Sequence, residues 1–468
     1  MKSIILFLFS LLMLTACTDD FLKENAKASI TSENYFKTSG DAIGSLNGVY
    51  KTLANPQMLG GTDIMMVALA DLGSDDITTG PSPTNVSQAF NEISLHTYTP
   101  ENTVFLDVWT NLYRGIDRAN LVIEKVPEIS MDKTLQNRIL GEATYLRALY
   151  YFYLVRLWGD VPLLIEYTKE LQTRPTRMPV AQVYAQIEKD LLFAETNISV
   201  LRYTGNDIGR VSLPTVKATL ARVYLTQGKW NLASTKAQEV INTAGYSLWA
   251  KYADALKFPA NENGRESLFE VQLFRDGGIT SRLMIRTQPR INRIGTTPGY
   301  GDWASTDDLF KVYENADARK AFNFQISENV PYLIKHRDEA AIDRNQSNNF
   351  PIFRLSEMYL ILSEALNEAE GPTTAAYTAI NVIRTRSTLP NAKIGLSKDQ
   401  FREVVLNERR LELALEGHRW FDLVRTNRLV AVVKSAKPNS SIADRNKLYP
   451  IPQVERDLNP NLTQNAGY

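Results

Sequence analysis

The stretch VKATLARVYLTQGKWNLASTKAQEVINTA, residues Val216–Ala244, decides the fold. Ala221, Tyr224, Ala233 and Ala237 recur at helical steps on either side of Gly228, and Trp230 opens the second run. Small residues let two helices approach, and the aromatics fill the gap between them. One such pair leaves an apolar face uncovered, so several must stack before that face is buried. The rest of the chain supplies them. In Glu101–Val126, Val104, Phe105, Val108, Trp109, Leu112, Tyr113, Ile116 and Ile123 step mainly by threes and fours, until Pro127 stops the helix. Leu135–Trp158 is apolar nearly all round its second half, which predicts a helix buried on several sides, capped by Gly159. Further helices are predicted at Glu33–Leu53, Pro179–Ile198, Pro214–Gln227, Trp230–Thr243, Arg354–Glu370, Thr373–Ser387 and Lys398–Glu416, with a short one over His418–Arg428.

The spacing in Val216–Ala244 is similar to that of a tetratricopeptide repeat, and Ser356–Ile383 repeats it loosely through Tyr359, Ser363, Ala376 and Ile380. Two regions break the pattern. Residues 54–100 are rich in Gly, Pro, Thr and Asp and read mostly as loop. Residues 247–349 carry one predicted strand at Ser267–Leu273, a second at Tyr332–Lys335, and an aperiodic stretch holding Arg282, Arg286, Arg290 and Arg293. Long irregular segments on a rigid scaffold are usually functional. The basic loop 282–293 either selects an anionic ligand or is simply solvated, and the solvated reading is preferred.

Composition narrows the function. The 468 residues hold 52 Lys+Arg against 52 Asp+Glu, so no basic surplus points to nucleic acid. A single cysteine excludes an internal disulfide and a thiolate zinc cluster. The three histidines, His96, His336 and His418, are too scattered to suggest a metal site. No metal and no cofactor is expected.

That one cysteine is Cys17. It follows a positive start, the apolar run Ile4–Leu14 and the small residues Thr15 and Ala16. The run is too short to span a bilayer, which takes ~20 apolar residues, and reads as an export signal. Leu14-Thr15-Ala16-Cys17 looks like a bacterial lipobox, which implies cleavage before Cys17 and acylation of it. Acyl chains contribute ~0.8 kcal/mol per buried methylene, so two or three anchor a protein stably. The chain therefore divides into a signal peptide (1–16), a lipidated cysteine and tether (17–32) and a helical-repeat domain (33–468). The membrane relation is expected through the lipid alone.

The C-terminal third carries a more specific likeness. Asn407-Glu408-Arg409-Arg410-Leu411-Glu412-Leu413, then Glu416-Gly417-His418-Arg419-Trp420-Phe421-Asp422-Leu423-Val424-Arg425, closely resembles the SusD/RagB family. So do Tyr153–Leu163, Arg354-Leu355-Ser356-Glu357, Asn381-Val382-Ile383-Arg384 and the ending from Leu448-Tyr449-Pro450-Ile451-Pro452 to Tyr468. The resemblance implies a mostly α fold with about four tetratricopeptide-like helix pairs and a loop-rich insertion carrying a few short strands. It implies a lipoprotein on the exterior of a Bacteroidetes outer membrane, a binding protein without catalytic activity. Such a protein takes up an oligosaccharide, or in some members a peptide, and partners a SusC-like TonB-dependent transporter.

Candidate ligand residues follow from chemistry. A sugar needs flat apolar faces for its axial C–H bonds and polar side chains for its hydroxyls. Trp109, Trp158, Trp230 and Trp420 fall in helical stripes and read as core. Trp249 and Trp303 lie outside such stripes, and Gly299 and Gly301 would let a loop present Tyr300 and Trp303 outward. With Tyr98 and Asp75 from the N-terminal loop region and Arg290 from the basic loop, these are the expected ligand contacts. Glu408, Glu412 and Glu416 share one helical face. A glycoside hydrolase needs two carboxyls converging across a substrate, so three on one helix read as a clasp with neighbouring arginines. A purely structural repeat adaptor is the remaining rival.

Overall fold

The computed structural model describes residues 35–55, 58–59, 64–80, 87–169, 173–274, 280–290, 299–338, 341 and 346–468. The signal segment, Cys17 and the tether lie outside these residues, as does Arg293. The helices of eight or more residues are α1 (Ser39–Leu53), α2 (Gln88–Leu95), α3 (Thr103–Lys125), α4 (Lys133–Trp158), α5 (Val180–Asn197), α6 (Leu213–Thr226), α7 (Trp230–Ile241), α8 (Leu355–Glu370), α9 (Thr374–Arg386), α10 (Lys398–Leu413) and α11 (Leu429–Ala436). Their starts are chemically marked. Thr38 and Asp41 form a reciprocal capping box at α1, and the side chains of Asn102, Asp132, Thr373 and Ser397 accept the first free N–H groups of α3, α4, α9 and α10.

Each long helix packs on the next: α3 on α4, α4 on α5, α5 on α6, α6 on α7, α7 on α8 and α8 on α9, with α1 laid across α3 and α4. This is the stacked-pair scaffold that Val216–Ala244 predicts. Gly228 (φ +71°) turns α6 into α7, and Ala218, Ala221, Ala233 and Ala237 are buried between neighbours. α4 is buried on most sides, as its apolar second half requires, and ends at Gly159 (φ +73°). Trp109, Trp158 and Trp420 are core residues, whereas Trp230 is half-buried. Among the described residues no helix is long and apolar enough to cross a membrane.

Among the described residues three two-stranded antiparallel sheets break the helical pattern: β1 (Ile77–Thr79) with β3 (Trp303–Ser305), β2 (Ser267–Val271) with β6 (Phe350–Arg354), and β4 (Phe324–Ser327) with β5 (Val330–Leu333). The region 54–100 is more ordered than its composition suggests, since it holds the helical turn Met65–Leu72, β1 and α2.

α10 stops at Leu413, short of the predicted Glu416, because Ala414 turns extended and Leu415 takes a positive φ. Glu408 and Glu412 on the helix and Glu416 just past it clasp basic side chains, with partners well beyond neighbouring helices. Glu408 meets Arg319 (2.7 Å) and Arg384 (3.0 Å). Glu412 meets Arg354, Arg386 and Arg319, and Glu416 meets Arg354 and Lys335. Arg354, at the junction of β6 and α8, spends its five N–H groups on Glu266, Glu412 (carboxylate and backbone carbonyl) and Glu416. Burial pushes the Glu412 pKa up, but Arg386, Arg354 and Arg319 overcome it and hold the group down at about 2. This network locks the irregular insertion onto the repeat scaffold.

Candidate ligand-binding face

β1 and β3 bring the two irregular regions together, with Ile77 opposite Ser305, Thr78 opposite Ala304 and Thr79 opposite Trp303. The pairing continues as Gly80 N–H donates to Asp302 O at 2.7 Å. Only glycine fits there, because a Cβ on Gly80 would stand 2.1 Å from the Gly301 carbonyl oxygen. The loop before β3 is sewn down by Tyr300 N–H to Ile285 O (2.6 Å), Gly301 N–H to Gln288 O (3.0 Å) and Arg290 Nε to Tyr300 O (2.9 Å). Tyr300 is half-buried and Arg290 exposed. Beside them the β4–β5 hairpin turns at Glu328 and Asn329, both with positive φ, as a two-residue hairpin loop demands. Tyr332 of β5 packs on Ala304. Burial and then Glu328 raise its hydroxyl pKa, while Arg290 opposes them.

A groove of about 470 Å³ runs along this sheet, lined by Thr78, Thr79, residues 304–307, the 329–331 turn, Leu95 and residues 436–440. That volume is within the usual range for small-ligand sites, about 300–1,000 Å³. Thr79 Oγ1 donates to Asn91 Oδ1 (3.0 Å) at the exposed edge. Lys437 is buried at the groove; its Nζ donates to Leu72 O at 2.7 Å. Burial pushes its pKa down to about 7, and Asp75 and Asp76 pull it back up. Threonine and serine hydroxyls, the Asn329 and Asn439 amides and the Asp307 carboxylate line the groove and make it a hydrogen-bonding surface. Among the described residues no group of His, Cys, Asp or Glu could hold a metal ion.

Residues 300–468 match the family described as SusD family, and residues 70–225 match the one described as "Starch-binding associating with outer membrane". SusD-like protein P25 of Formosa agariphila is 27% identical over 100% of this chain and 99% of its own. A solved laminarin-binding SusD-like protein superposes with a TM-score of 0.82 at 28% identity, covering 92% of this chain and all of that one. The chain belongs to the SusD-like family. A SusD superfamily structure from Parabacteroides distasonis agrees, with a TM-score of 0.81 at 28% identity over 94% of this chain and all of that one.

In this SusD-like chain the six expected ligand residues separate. Tyr300 and Arg290 stand together in the loop before β3, joined through the Tyr300 carbonyl, but neither lines the groove. Trp303 does not join them at the surface, because it is 1% exposed. Phe90 packs edge-on against its ring at 5.4 Å, and Arg286 lies over both rings, bound to Asp302 at 2.7 Å. Arg286 is therefore a buried ion-pair partner rather than a solvated charge. Asp75 is equally committed, gripped by Arg419 through both oxygens (2.8 and 2.9 Å) and by Arg410 (2.8 Å). Tyr98 is buried in an aromatic cluster with Phe105, Tyr449 and Tyr468, where its hydroxyl accepts from Asn446. That cluster, extended by Trp420 stacked on Tyr449 at 5.0 Å, pins the C-terminal tail. Trp249 is half-buried with Arg265 over its ring at 5.0 Å, and it lies away from the groove.

Thr79 and Asn329 line the groove and Tyr332 packs beside it on Ala304, and none of the three is singled out by the sequence. The predicted strand at Tyr332 was the one signal for them. The Lys437–Ser440 turn gave none.

Proposed function

We propose that this SusD-like chain is a lipid-anchored protein of the outer membrane, facing the exterior. It captures an oligosaccharide on the β1–β3 face and delivers it intact to a SusC-like TonB-dependent transporter. The observation that carries this reading is the likeness, over nearly the whole chain, to a protein described as laminarin-binding. The face adds chemical support: Tyr300 offers an aromatic surface, and Arg290, Thr79, Asn91 and Asn329 offer donors and acceptors for hydroxyls. The lipobox ending in Cys17 supports the anchor and gives the protein a fixed place above a transporter.

The reading assigns no catalytic residue. In support, Asp75, Glu408, Glu412 and Glu416 are each tied to basic side chains rather than facing one another across a cleft. The test is calorimetry of the mature protein with β-glucan and α-glucan oligosaccharides and a peptide pool. Tyr300→Ala should weaken the best glycan by about fivefold, the equivalent of ~1 kcal/mol of aromatic contact. Binding of peptides but not glycans, or glycan binding indifferent to Tyr300→Ala and Arg290→Ala, would overturn it.

A further inference from the structure

A second cavity, also of about 470 Å³, shares no residue with the β1–β3 groove. It opens where α3 meets Pro162–Leu164, residues 173–175 and the helical turn Gln453–Leu458. Trp109 and Tyr113 form its floor, their rings 5.0 Å apart, and Leu164, Leu458 and Leu462 form its walls. The Tyr113 hydroxyl is already spent on Pro162 O (2.9 Å), so the floor presents carbon.

Two charged groups at this cavity lack the partners that their counterparts elsewhere possess. Glu455 is half-buried, and among the described residues its carboxylate accepts only a long contact of 3.5 Å from Thr110. By contrast Glu142, Glu188 and Glu364 each meet a cation. The consequence for Glu455 is a pKa raised by burial, with Thr110 opposing weakly. Arg174 is exposed at the rim, and its guanidinium makes no hydrogen bond or ion pair among the described residues.

We propose that this cavity is a second ligand site for a small zwitterion with an apolar side chain, an amino acid or dipeptide. Its ammonium meets Glu455, its carboxylate turns toward Arg174, and its side chain lies on Tyr113, Leu164 and Leu458. An ammonium supplies the cation that Glu455 lacks, in a partly desolvated setting where a charge-assisted hydrogen bond is strongest. A sugar fits less well. Trp109 is buried, so it has no open indole face for a pyranose, and the surrounding walls are aliphatic. The proposal uses none of the residues of the β1–β3 face.

The experiment is a ligand-observed NMR and calorimetric titration of the mature chain with Leu-Leu, with acetyl-Leu-Leu-amide and with a glucan oligosaccharide. Leu-Leu should bind saturably, the doubly capped peptide about tenfold more weakly, and Glu455→Gln should impose about the same tenfold loss on Leu-Leu. Glucan binding should not change in Glu455→Gln or Arg174→Ala. If Glu455→Gln fails to fold by circular dichroism, the capped peptide and the exposed Arg174→Ala carry the test. No binding of Leu-Leu, equal binding of free and capped peptide, or glucan binding lost in Glu455→Gln would each overturn the proposal. The last outcome would make the cavity a sugar site. Loss of glucan binding in Tyr300→Ala with Leu-Leu retained would show that the two sites stand or fall separately.

Discussion

Arg354→Met removes the hub of the buried charge network while keeping a side chain of similar length. The five N–H groups of Arg354 serve Glu266, Glu412 and Glu416, all of them buried. Arg386, Arg319 and Lys335 would still reach these carboxylates, but Glu266 would be left with Arg386 alone and Glu416 with Lys335 alone. Deleting one partner of a buried pair typically costs about 3–5 kcal/mol, because an uncompensated charge stays behind. The Glu412 carboxyl sets the pH range, because Arg386, then Arg354 and Arg319, together hold its pKa down from 4.5 to about 2, a combined effect of about 3 kcal/mol of which Arg354 supplies a part. A carboxyl whose folded pKa is depressed contributes stability that is present above its unfolded value and is lost as pH falls through the folded one. The gap between wild type and Arg354→Met should therefore be about 3–5 kcal/mol at pH 7 and should narrow as pH drops from about 4.5 toward 2. Urea unfolding followed by tryptophan fluorescence and far-UV circular dichroism measures it. A gap below about 1 kcal/mol at pH 7, or one that does not change with pH, refutes the reasoning.

Three other outcomes are expected. His96 is buried between Ser440 and the Gly73 carbonyl, and burial, then Lys437, lowers its pKa from 6.5 to about 3. The unfolded chain takes up that proton first, so stability is lost as pH falls below 6.5. His96→Gln should flatten the stability profile between pH 7.5 and 5.5 by about 1.4 kcal/mol, read from urea midpoints. Gly80→Ala forces a methyl against the Gly301 carbonyl, so it should destabilise by about 1–3 kcal/mol and weaken glycan binding in calorimetry. Cys17→Ser should leave the precursor uncleaved and unlipidated, seen as a slower band on gels and loss of acyl labelling.

The scaffold was legible because its signal is local. Ala221, Tyr224, Gly228, Trp230, Ala233 and Ala237 lie within one turn-linked helix pair, and periodicity reports such contacts directly. The shared helical face of Glu408 and Glu412 was readable for the same reason, but not the helix end at Leu413, which leaves Glu416 beyond that face, nor the partners Arg319 and Arg354, which come from other elements. The candidate face was the least legible part. β1 has three residues, too few to show a period, and Ile77 pairs with Ser305 far along the chain. Trp303 follows a glycine-rich loop, which locally reads as display. It is covered because Phe90 and Arg286 arrive from two distant segments. Asp75 sits in an acidic loop that looks open until Arg410 and Arg419 close on it. Burial created by remote partners leaves no trace in the neighbouring residues.

The claim that this protein holds a glycan without altering it is tested most directly by one mixing experiment. A glucan oligosaccharide is incubated with the mature protein, binding is titrated, and the sugar is then recovered and its length measured by mass spectrometry. Saturable binding with the chain length unchanged is the predicted result. Shortened products, or no binding by any member of a broad glycan panel, would contradict it.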